Sequence, residues 1–199
     1  MADLFISYSR VDREFVRSLH QPLEQEGRDV WVDLDDIPPS AEWLREIYAG
    51  IEAASSVVFV LSPSLLTSKV CRQELEHAAA HGKRLIPVVC RDVDREAVPP
   101  ELAARNWIMW RSEDDASAAL QALRRALDTD LEWVRDHTRL LTRAIEWDAE
   151  RRDDSFVLRG SDLRDAEAWL NRAAPTSDPQ PTPLQTQYIL IERLSLVES

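Results

Sequence analysis

Five short apolar runs separated by helix-length amphipathic stretches constrain this chain more than any other feature. The runs are Leu4–Ile6, Val30–Val32, Val57–Leu61, Leu85–Val89 and, less marked, Trp107–Trp110. Helical spacing of apolar residues fills 12–26, 41–53, 70–81 and 115–127. Runs that are apolar at successive positions are buried on both faces, as parallel strands covered by helices are. Strict alternation then implies a doubly wound sheet with right-handed crossovers. Five strands in so short a span favour a flavodoxin-like α/β fold. Gly27 and Gly82 each follow a helical stretch and precede a strand, where glycine ends helices. Ligands of such sheets bind beyond the carboxyl ends of the strands. The first run stops abruptly at Ser7, Tyr8, Ser9 and Arg10, and Asp12 opens a helical pattern whose N-terminus favours anions.

Charge and cysteine content exclude several function classes. The net charge is -12. Residues 1–127 carry 15 Lys/Arg against 21 Asp/Glu, and the remainder 9 against 15. Neither part hides the basic footprint that nucleic acid or an anionic membrane requires. Cys71 and Cys90 make neither a disulfide scaffold nor a zinc site. Asp3 lies where a signal peptide needs positive charge, and no segment approaches a membrane span. The expectation is a cytoplasmic protein with no membrane or nucleic-acid partner.

The pattern changes after residue 127. Residues 130–152 place Leu131, Val134, Leu141 and Ile145 near one helical stripe, with Trp133, Leu140, Ala144 and Trp147 beside it. A turn and a helix begun by Ser161 or Asp162 come next. Four prolines between Pro175 and Pro183 predict an extended linker. The expected organisation is a domain over 1–127, a helical extension over 128–174, a Pro-rich linker over 175–183, and the start of a further, truncated segment over 184–199. Residues 130–152 are expected to pack back on the sheet's helices as a stiffener, or to hold the domain monomeric until triggered.

Four segments in order, DLFISYSRVD (3–12), VWVDLDDIPP (30–39), FVLSPSLLTSKVCRQEL (59–75) and KRLIPVV (83–89), resemble the successive boxes of a Toll/interleukin-1 receptor (TIR) domain over residues 3–127. The tail resembles, more weakly, the segment downstream of that domain in some bacterial multidomain proteins, and the Arg-, Ala- and Asp-rich composition fits a bacterial source. The resemblance implies one of two functions. One is an NAD⁺ glycohydrolase, with or without cyclase activity, switched on by self-assembly in bacterial defence or cell-death signalling. The other is a noncatalytic scaffold that assembles with other TIR domains.

In the enzymes of the family a glutamate within C-x-x-E-L or W-x-x-x-E is required. The match here is Glu74 in Cys71-Arg72-Gln73-Glu74-Leu75, with Val70 where a tryptophan often stands. A carboxylate suits the chemistry, because departure of nicotinamide leaves an oxocarbenium-like ribose that negative charge stabilises. The cationic leaving group needs no protonation. NAD⁺ is thus expected as substrate, with no cofactor and no metal.

Tyr8, Ser9 and Arg10 match the family's ribose and phosphate contacts, and Arg10 has the fork geometry for a phosphate. Alternatively, Arg10 pairs with Asp12 or Asp36, and Ser9 or Asp12 caps the first helix. Asp33 is placed to hold a ribose hydroxyl. Residues 33–39 resemble the BB loop, so Ile37, Pro38 and Pro39 are expected to contact a neighbouring molecule. Trp43 on the next helix reads as core or assembly surface.

Other chemistries lack support. No G-x-G-x-x-G or Walker pattern exists, so redox use of NAD⁺ and NTP hydrolysis are not expected. Ser62-Pro63-Ser64 is no nucleophile elbow. Glu74, His77 and His81 share a helical face and mimic a metal site, but His81 beside Gly82 reads as a helix-end histidine. Cys71, near a helix start, is either a low-pKa thiol or a small packing residue.

Overall fold

The computed structural model describes residues 2–32 and 40–197, the side chains of 192–197 excepted. Five parallel strands, β1 (Ala2–Ser7), β2 (Val30–Trp31), β3 (Ala54–Leu61), β4 (Arg84–Val89) and β5 (Ile108–Met109), form one sheet in the order β2-β1-β3-β4-β5. This is the expected flavodoxin-like α/β topology. Each apolar run became a strand, and the inner strands β3 and β4 are buried along their whole length. The outer strands β2 and β5 are only two residues long, as their weaker apolar runs require.

Nine helices accompany these strands among the described residues: α1 (Arg13–Gln25), α2 (Ala41–Ala53), α3 (Pro63–Thr67), α4 (Lys69–Ala80), α5 (Pro100–Ala103), α6 (Ala116–Asp128), α7 (Leu131–Ala149), α8 (Gly160–Asn171) and α9 (Pro183–Val197). Side-chain caps set several starts: Ser40, Ser62, Ser68 and Asp115 each accept a backbone N–H of the first turn of α2, α3, α4 and α6. Gly27 (φ 78°) and Gly82 (φ 58°) follow α1 and α4 in the left-handed region, which glycine enters without a Cβ clash. Two apolar cores lie on the sheet's two faces. One joins Phe5, Val57, Phe59 and Leu61 to α2 and α4, and the other joins Leu4, Ile6, Val58 and Val60 to α1 and α6.

The chain divides into two compact units, Met1–Leu131 and Glu132–Ser199. In the second, Leu140, Ala144 and Trp147 of α7, Ala166 and Trp169 of α8, and Tyr188 and Ile189 of α9 share one core. Leu184, Leu190 and Ile191 of α9 pack against this core as well. The Pro-rich stretch is likewise pinned down. Trp133 Nε1 donates to the Pro179 carbonyl (2.9 Å) and His137 Nε2 to that of Gln180 (3.1 Å). Proline lacks an N–H donor but keeps its carbonyl, and the Pro179 carbonyl supplies one attachment and that of Gln180 the other. No described helix is long and apolar enough to cross a membrane.

Candidate functional site

A cleft of about 300 Å³ opens at the carboxyl edge of the sheet. β1 and its following turn contribute Tyr8, Ser9 and Arg10, α2 contributes Trp43 and Ile47, and α4 contributes Val70, Cys71 and Glu74. Tyr8, Ser9, Arg10, Val70 and Glu74, far apart in the sequence, are thus brought to one opening. Asp33, Ile37, Pro38 and Pro39 lie outside the described residues.

Glu74 is 6% exposed, on the face of α4 turned to the cleft. The hydroxyl of Ser7, the last residue of β1, donates to Glu74 Oε2. Ser7 is itself buried. This holds the carboxylate in one orientation without a cation neutralising it through that bond. Ser68 fixes the start of α4 by accepting from Cys71 N (3.2 Å), and the turn it opens lines the cleft.

Cys71 is not an activated thiol. Burial, and secondarily the Glu74 charge, push its pKa up to about 12, against the Ser68 and Ser7 hydroxyls that favour the thiolate. A helix start lowers a thiol's pKa only where water or positive charge helps, and this one is desolvated beside a carboxylate.

Aromatic rings build the remaining wall. Trp31 stacks on Phe5 with centroids 4.6 Å apart. Its ring lies where a Cβ on Gly50 would meet it at 3.0 Å, so the glycine in α2 makes room for it. Trp43 is 8% exposed, part of the core as well as the cleft lining. Its burial favours the core alternative over an open assembly surface.

Asp12 stands at the N-cap position of α1 but its side chain makes no cap bond; Arg10–Asp12 form a single 3-10 turn and α1 begins at Arg13. Its buried carboxylate accepts from Ser62 Oγ (2.5 Å) and Arg91 Nε (2.9 Å), linking the ends of β1, β3 and β4 beneath the sheet edge. Ser9 makes no side-chain cap either, and it lines the cleft. Sequence reasoning named Ser7 without giving it a role and did not reach Arg91. The polar stop of the first run was the available signal for Ser7, whereas Arg91, 79 positions from Asp12, had none.

A sequence model of the family described as TIR domain matches residues 4–124. The chain is 28% identical over 141 residues to human Toll-like receptor 1, an alignment covering 64% of this chain and 18% of that receptor. Its fold is similar to that of the TIR domain of the Toll-related receptor TRR-2 from Hydra magnipapillata (TM-score 0.55, 24% identity, 64% of this chain and 98% of the other). It is also similar to a TIR-STING receptor from C. gigas solved in complex with 2',3'-cGAMP (TM-score 0.51, 22% identity, 62% of this chain and 39% of the other). The chain therefore spans less than a fifth of Toll-like receptor 1 and about two fifths of the TIR-STING receptor.

Proposed function

Since the chain belongs to the TIR domain family, we propose that it cleaves NAD⁺ at the nicotinamide–ribose bond, with Glu74 as the catalytic carboxylate. One observation carries this reading: a buried glutamate, oriented by a neutral hydroxyl, faces an open cleft at the ligand-binding edge of the sheet. In the reaction, the bond from ribose C1′ to the pyridinium nitrogen breaks and its electron pair leaves with nicotinamide. The cationic ribose gains stabilisation from Glu74, which a low-dielectric wall strengthens. Water adds to C1′ and loses a proton, giving ADP-ribose, or an internal nucleophile closes a cyclic isomer.

The remaining groups position the dinucleotide. Arg10, exposed at the rim, takes a phosphate; Tyr8 and Ser9 bracket the ribose; Trp31 and Val70 form apolar wall around the nicotinamide. A cleft of about 300 Å³ is at the small end for ligand sites. It suits the nicotinamide-ribosyl half, and self-association, with Ile37, Pro38 and Pro39 of a neighbouring copy, completes the rest. The role is that of an assembly-gated cytoplasmic effector in bacterial defence or cell-death signalling.

Incubation with NAD⁺ at low and high protein concentration, following free nicotinamide, tests this. Release rising faster than linearly with protein and lost in Glu74→Ala is the expected result. Val70, where an aromatic ring often stands, favours the alternative of a noncatalytic TIR–TIR scaffold. Absence of release from forcibly clustered protein would decide for that scaffold.

A further inference from the structure

The opposite end of the α2–α4 pair holds a second cluster that the cleft does not use. Both helices begin at the carboxyl edge of the sheet and run back to its amino edge. There, Glu52 of α2 meets His77 of α4 and His81 just after it. Glu52 Oε1 lies 2.9 Å from His77 Nε2 and 3.7 Å from His81 Nε2. One ligand atom from each residue falls within 4.8 Å of the others. The sequence pattern grouped the two histidines with Glu74, but Glu74 is engaged with Ser7, and the carboxylate that joins them comes from another helix.

We propose that Glu52, His77 and His81 form a three-ligand site for a divalent transition-metal ion of the Zn²⁺ type. Two histidines four apart project from one helical face, and a facing carboxylate supplies the third ligand. Bonds of about 2.0–2.1 Å in tetrahedral geometry place ligand atoms about 3.3 Å apart. The observed 2.9 and 3.7 Å from Glu52 to the two imidazoles straddle that value.

Neighbouring groups already orient the rings. His81 Nδ1 donates to the His77 carbonyl at 2.8 Å, and a carbonyl can only accept, so the neutral ring leaves its Nε2 lone pair toward Glu52. The His77 ring stacks on Tyr48 of α2, with centroids 4.0 Å apart and planes 7° apart. Side-chain exposures of 30% for Glu52, 17% for His77 and 22% for His81 leave an entry path and room for water as fourth ligand. Imidazole ligands favour Zn²⁺, Ni²⁺ or Co²⁺ over Mg²⁺ or Ca²⁺. An ion here ties α2 to α4, the two helices that wall the cleft at their other ends.

Titrating the chelator-treated full chain with Co²⁺ tests this by its visible absorption, with Zn²⁺ then displacing it. One ion per chain, on the order of micromolar affinity or tighter, is expected. His77→Ala and His81→Ala should each weaken binding at least about tenfold, and His20→Ala should not. Glu52→Gln keeps the side chain's shape, so it should fold, weaken binding, and lose the Zn²⁺-induced rise in melting temperature shown by the parent chain. Unchanged affinity in the folded Glu52, His77 and His81 variants, or no binding below millimolar metal, would overturn the proposal.

Discussion

The sheet unit and the helical unit bury polar groups in opposite ways. In the sheet unit, residues that ordinarily carry charge are buried: Asp12, Glu74, Lys83 and Arg84. In the helical unit the buried polar residues among those described are His137, Thr138, Thr182 and Gln185. Burying an ion costs several kcal/mol unless fixed partners compensate. Each has a fixed partner, Glu74 the Ser7 hydroxyl. Asp12 has Arg91 and Ser62, Lys83 has the carbonyls of Glu52 and Ala54, and Arg84 has those of Ala126 and Thr129. Glu74 differs, because it borders an open cleft. The helical unit instead commits its polar groups to its own backbone. Gln185 Oε1 accepts from Thr182 N (2.7 Å) while Thr182 Oγ1 accepts from Gln185 N (3.2 Å), and Gln185 Nε2 donates to the His137 carbonyl. The helical unit thus buries neutral groups closed on its backbone, and the sheet unit buries ionisable ones, one of them at a cleft.

The contrast predicts effects of decreasing size. The sheet unit tolerates buried charge only where it is compensated, so its thiols stay neutral. With Cys71 held at about 12 and Cys90 at about 11, both through burial first, their thiolates are scarce up to about pH 9. Alkylation of Cys71 at about pH 8 should run about a thousandfold slower than in the unfolded chain, and both thiols should appear on denaturation. Reaction of native Cys71 at an ordinary rate would break the contrast.

Trp169→Ala should cost the helical unit about 3–5 kcal/mol, read as faster amide exchange across α7–α9, with NAD⁺ cleavage per molecule retained. Loss of cleavage in that variant would erase the division of labour. Glu74→Ala should lower nicotinamide release by about 10²–10³-fold with the melting temperature little changed. Ser7→Ala should lower turnover by about tenfold through misorientation of Glu74, while Ser7→Thr retains part of it. Gln185→Ala, which opens the cap of α9, should cost about 1–2 kcal/mol in the helical unit and leave turnover untouched.

Much of the fold was legible because parallel strands and amphipathic helices repeat at short range. β1, β3 and β4 coincide with apolar runs, and α2 with its apolar spacing. The one-turn helices α3 and α5 had no periodicity to read. The cap of α9 was legible in Thr182-Pro183-Leu184-Gln185, a capping box with proline at the first helical position, but the proline cluster around it pointed to a linker. Of the candidate site, the motif around Glu74 and the polar residues after β1 were readable. The donor that orients Glu74 and the carboxylate that joins His77 and His81 were not.

The sequence by itself determined the strand–helix alternation, the glycines that end α1 and α4, the net charge of -12, and the motif that holds Glu74. Only the tertiary structure decided which groups meet: Ser7 with Glu74 across 67 positions, Asp12 with Arg91 across 79, and Glu52 with His77 across 25. The reason is physical. Periodicity records burial along one element, while a hydrogen bond between elements depends on strand order and helix placement, which leave no local trace.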